Sequence, residues 1–193
     1  MELTTYRDEE EDFKLFCLEG VEDIEEENDS QIITFLEHLA LNFDIINVYK
    51  TCDDIETFEI SLSNLLYHDR FFKDYSIIYL VFEGDDNLVK IGDYYYTLEE
   101  IAEFFEGKLT DKIVHFANTK MLDLEDETFQ YFLDVTGAKA ISGYINHSPV
   151  LSTILDQYYF ALNAEIDDVV ELVHALFEKH ANLCQKMGFR LYH

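Results

Sequence analysis

Two short stretches hold the residue types that could do chemistry. In "LVFEGDD" (80–86) an apolar run ends in Glu83, Asp85 and Asp86, and "HFANTK" (115–120) carries His115, Asn118 and Thr119. Carboxylates gathered at a strand end can take a proton as a general base or hold a hard cation. They can equally do no more than solvate a loop on an acidic chain, and no ligand spacing raises them above that. His115, between Val114 and Phe116, sits where a hydrogen-bonded core histidine is more common than a catalyst. Other fingerprints are missing. No GxGxxG follows a strand, and neither GxxxxGK[ST] nor GxSxG occurs. HExxH, HxH and EF-hand spacings are absent as well. Neither a cofactor nor a metal is therefore expected.

Charge narrows the partners. The 193 residues include 41 acidic and 13 basic side chains, a formal −28 with an isoelectric point near 4.2. Phosphate backbones and anionic membranes demand Lys and Arg, so direct nucleic-acid or membrane binding is not expected. A protein partner with a basic surface fits, as does mimicry of a nucleic acid; simple solubility is the plainer alternative. Residues 1–30 alone hold 13 acids and 2 bases, which reads as an interaction arm rather than an evenly charged surface. Three scattered cysteines (Cys17, Cys52, Cys184), an acidic N-terminus and no apolar run of ~18 residues predict a cytoplasmic protein in a reducing compartment.

Hydrophobic residues make up 48% of the chain, enough for a packed core. After an acidic lead-in (1–12), residues 13–193 read as one α/β domain. Strands are predicted at 13–20, 44–52, 75–84, 111–121, 138–144 and 189–193, with 75–84 the most apolar and central. Helices are predicted from 31, over 54–72, 98–107 and 126–137, from 149, and over 165–181. "NLVKIGDYYYT" (87–97) reads as a β-hairpin turning at Gly92-Asp93. Strands alternating with helices imply a three-layer α/β/α sandwich with a mostly parallel sheet. Tyr94, Tyr95 and Tyr96 cannot all face inward, so at least one is available to a partner.

The run "YSIIYLVFEGDDNLVKIGDYYYTLEEIAEFFEGKLTDKIVHFANTKML", continuing to "GAKAISGY", resembles caspase-like cysteine peptidase domains, particularly small bacterial ones, over residues 75–145. The resemblance implies a histidine before Gly84 and a nucleophilic cysteine ending the second strand. This chain has Glu83 and Thr119 at those places, and Ala117-Asn118 where the family has Gly-Ser. A thiolate generated by His is what such a dyad needs, so the resemblance implies a catalytically inactive member. The expected role is then a regulatory or scaffolding module, in a setting such as bacterial or phage defence and counter-defence. Its acidic edge (Glu83, Asp85, Asp86) would still grip Lys- or Arg-rich segments. The alternatives are an acidic nucleic-acid mimic, a divergent peptidase or carboxylate–metal hydrolase, and a homodimer formed through the tyrosine-rich stretches.

Overall fold

The computed structural model describes residues 13–25, 30–119, 122–146 and 148–193, apart from the side chains of Asn118 and Thr119. The acidic lead-in 1–12 lies outside the described residues. Six strands form the main sheet: β1 (Lys14–Gly20), β2 (Ile46–Cys52), β3 (Tyr75–Asp85), β6 (Ile113–Thr119), β7 (Ala140–Tyr144) and β8 (Phe189–Tyr192). They run in the order β2-β1-β3-β6-β7-β8. All neighbours are parallel except β8, which closes one edge antiparallel to β7. The hairpin β4 (Leu88–Ile91) and β5 (Tyr94–Thr97) continues from the far end of β3.

Burial on both faces explains why these strands are nearly continuous apolar runs. Leu15, Cys17, Ile77, Tyr79 and Val81 point to one layer, where they meet α1 (Gln31–Phe43), α5 (Pro149–Glu165) and α6 (Val169–Met187). The alternate residues Phe16, Leu18, Ile78, Leu80 and Phe82 point to the other, against α2 (Ile55–Ser63), α3 (Leu98–Glu103) and α4 (Asp126–Thr136). The period of two along each strand thus feeds two cores, and the architecture is the expected three-layer sandwich. Among the described residues no helix is long and apolar enough to cross a membrane.

Three predicted helices have different ends. The helix expected over 54–72 stops at Ser63, widens into a π-helical turn at Asn64–His68 and closes with a short 3₁₀ turn at Phe72–Asp74. The helix expected over 98–107 ends regular geometry at Glu103. The last helix begins at Val169 because the Asp168 carboxylate caps the backbone N–H groups of Val170 and Glu171 at 2.9 Å each. It runs on to Met187, through a non-helical His180, and ends on Gly188 at φ 62°.

Candidate functional site

Because β1, β2 and β3 are parallel, their C-terminal ends reach the same edge of the sheet. The residues just beyond these ends, with the β4–β5 hairpin folded over them, enclose a cleft of about 650 Å³. Among the described residues its charged lining is Glu22, Asp53, Asp54, Glu83, Asp93 and a single cation, Lys90. The Glu83 side chain is 79% exposed, and its Oε2 lies 3.6 Å from the Lys90 Nζ. Such a carboxylate is well solvated and carries an ionic partner, the setting of a binding group rather than of a desolvated general base.

Two of the carboxylates also build the wall. Asp54 is the N-cap of α2: its Oδ1 accepts from the Thr57 N–H at 2.8 Å. Hydrogen bonds from the Thr57 backbone and hydroxyl hold the Asp54 carboxyl below its ordinary range. Asp53 accepts from the Ile24 N–H at 3.2 Å, joining the loop after β1 to the loop after β2. Gly92 brings the hairpin against this wall at φ 59°, where an added Cβ would stand 2.9 Å from the Asp53 carbonyl oxygen. A side chain there meets both a strained backbone and a rigid neighbour. Gly92→Val should cost about 2 kcal/mol or more, read as a lower urea midpoint; an unchanged midpoint would show that the hairpin is not seated as described.

The expected acidic cluster divides. Glu83 lines the cleft, but Asp85 and Asp86 are not among its lining residues. Asp85 is paired with Leu88 in the β3–β4 ladder, and Asp86 and Asn87 make the turn at φ 54° and 61°. The tight turn carries these two carboxylates past the cleft. Of the three tyrosines, Tyr94 lines the cleft and is 71% exposed, Tyr95 is also exposed, and Tyr96 packs partly into the core.

The second stretch also divides. Gly84 pairs with Thr119 in the β3–β6 ladder, so the backbone brings positions 83 and 119 to neighbouring strand ends. The side chains of Asn118 and Thr119 lie outside the described residues. His115 is fully buried on the α1–α5–α6 face. Its Nδ1 lies 2.8 Å from Ser142 Oγ and its Nε2 2.8 Å from Asp156 Oδ1. Its ring stacks on Tyr79 at 5.7 Å. It is a core histidine.

Asp156 was not singled out in the sequence, yet it is the hub of that core: fully buried, it accepts from the hydroxyls of Tyr79 (2.8 Å) and Tyr144. The signal was its phase. Ser152, Leu155, Asp156, Tyr159 and Asn163 recur at helical spacing and are all buried on α5, which places a carboxylate inside an apolar stripe. Glu22, Asp53 and Asp54 had no such signal, since they meet Glu83 only through the parallel pairing of separate strands.

Among the described residues no group of three or more His, Cys, Asp or Glu side chains is arranged to hold a metal. A family model described as a family of unknown function, DUF6642, matches residues 12–193. No curated protein matches the chain.

Proposed function

The chain belongs to this family of unknown function, and we propose that it is a non-catalytic interaction module whose acidic cleft takes a Lys- or Arg-rich segment of a protein partner. One observation carries the proposal: among the described residues five carboxylates and one ammonium line a single concave site of about 650 Å³. A concave site of one sign concentrates its field on an occupant of opposite sign, which favours an extended cationic side chain. Exposed Tyr94 beside it offers a cation–π face.

The caspase-like reading supports the absence of hydrolysis. The order strand, hairpin, helix, strand over β3 to β6 fits the order that the resemblance implies, which would put Glu83 in the place of its histidine. Cys17, Cys52 and Cys184 are all buried, so none offers a ready nucleophile at the cleft. Concentration of the carboxylates in a concavity favours a peptide over the mimicry of a nucleic acid, which needs an extended convex stripe of charge.

Titration with a fluorescent Lys/Arg-rich peptide tests the proposal. Binding should weaken about tenfold or more between low and physiological salt, and Glu22→Lys with Glu83→Lys should abolish it. Neither substitution removes a cap or a buried contact. Affinity indifferent to salt, or retained in the double variant, would overturn the proposal.

A further inference from the structure

Among the described residues one cation lines the acidic cleft, and the chain supplies it from its own hairpin. Lys90 lies in β4 between Val89 and Ile91, which are 1% and 2% exposed and fasten the hairpin to the core beneath. Successive side chains of a strand point to opposite faces, so these two anchors turn Lys90 outward. The antiparallel register decides what it meets there. Gly84 pairs with Val89 and Asp85 with Leu88, and one step further along the same ladder Lys90 stands across from Glu83. Its Nζ lies 3.6 Å from Glu83 Oε2. The fold thus delivers an ammonium to a carboxylate that a partner's cation would take.

The pair is suited to exchange rather than to holding the fold. At 3.6 Å it is longer than a charge-assisted hydrogen bond of about 2.7–2.9 Å. The Lys90 and Glu83 side chains are 37% and 79% exposed, and an ion pair so open to water adds little stability. Lys14–Asp74 and Lys139–Asp167 are closer, at 2.9 Å each. Arg190–Asp123 is as loose, but it lies outside the cleft. The backbone that carries Lys90 is well seated, through Val89, Ile91 and the contact of Gly92 with Asp53. Exchange therefore needs only the lysine side chain to swing, not the strand to move.

We propose that Lys90 is a built-in competitor for the cleft, its ammonium holding Glu83 until a cationic side chain of the partner displaces it. The inference rests on the cleft reading above and adds its regulation. A competitor tethered beside its site acts at a high effective concentration. A lone lysine on a passing protein offers Glu83 nothing that Lys90 does not already give, and it must also be immobilised. A Lys- or Arg-rich segment gains more, because it reaches Glu22 after β1 and Asp93 in the hairpin turn at the same time. Lys90 therefore sets a threshold, and clustered cations pass it where isolated ones do not.

A double-mutant cycle read with the same fluorescent Lys/Arg-rich peptide is the test. Lys90→Met, and Lys90→Gln as a second variant, should each bind the peptide about three- to tenfold more tightly than the wild type. Their urea midpoints should match the wild type. Glu83→Gln should weaken binding, and adding Lys90→Met to it should change the affinity by no more than about twofold, because the group they compete for is gone. Lys108→Met removes the same charge at an exposed position outside the cleft, and it should also stay within about twofold of the wild type. Lys90 variants that bind no more tightly than the wild type would overturn the proposal. So would an equal gain in the Glu83→Gln background, or from Lys108→Met, since either would make the effect one of net charge alone. If the wild type binds the peptide and the Lys90 variants bind it equally, only the competitor falls; if neither wild type nor variants bind it, the cleft reading falls with it.

Discussion

Asp156→Ala should lower the stability of the folded chain by about 3–5 kcal/mol and its melting temperature by on the order of 10 °C. The carboxyl group is fully buried and within hydrogen-bond distance of Tyr79, Tyr144 and His115 at once. Removing it leaves these groups without the acceptor that they surround, and each stranded buried donor costs about 1–3 kcal/mol. Water cannot readily take its place, because Tyr159 and Phe160 pack around the same histidine. Asp156→Asn should recover only part of the loss, since an amide turns one acceptor into a donor facing other donors. Asp134→Ala, at an exposed position of α4, should stay within about 0.5 kcal/mol of the wild type. A melt of Asp156→Ala within about 2 °C of the wild type would show that the buried network is not a source of stability.

What could be read in the sequence followed the range of the forces involved. Strands buried on both faces announce themselves as apolar runs, so "YSIIYLVF" was legible as the centre of the sheet, and β3 lies there. Capping chemistry is local as well: Thr97 and Glu100 make the expected capping box of α3. Helix ends that depend on tertiary packing were not legible. The continuation of α2 into a π-helical turn goes with Leu65 reaching the core beside Phe58 and Leu62, which apolar spacing alone reads as more helix. Apolar spacing starts the last helix too early because Ile166 extends the hydrophobic stripe, although Asp168 sets the true start. The site was half legible for the same reason. Glu83 showed at a strand end, but Glu22, Asp53 and Asp54 join it only when β1 and β2 pair in register through Gly20 and Cys52.

The other large effect is alkaline unfolding. Cys17, Cys52, Cys184, Tyr79, Tyr144 and Tyr159 are each no more than 2% exposed. Burial pushes the Cys184 thiol up to about 11 and the Cys52 thiol up to about 12, with Asp53 and Asp54 adding to the latter. Burial holds Cys17 and the three tyrosines well above their ordinary values, and the Asp156 charge raises them further. In the unfolded chain the thiols release protons near ~8.5 and the tyrosines near ~10. Above those values the unfolded state binds fewer protons than the folded one, so stability falls as pH rises. Each group contributes about 1.4 kcal/mol per pH unit until its own folded value is reached. Three thiols alone remove about 4 kcal/mol per unit, and all six groups together about 8. A net stability of about 5–15 kcal/mol is then exhausted near pH 10–11, before the buried tyrosines can ionise in place. Melting temperatures should hold to about pH 8.5 and drop steeply beyond pH 10. Tyrosinate absorbance from the buried rings should appear together with the loss of secondary structure. An unchanged melt at pH 11, or smooth ionisation of these tyrosines ahead of unfolding, would mean that the two cores admit solvent.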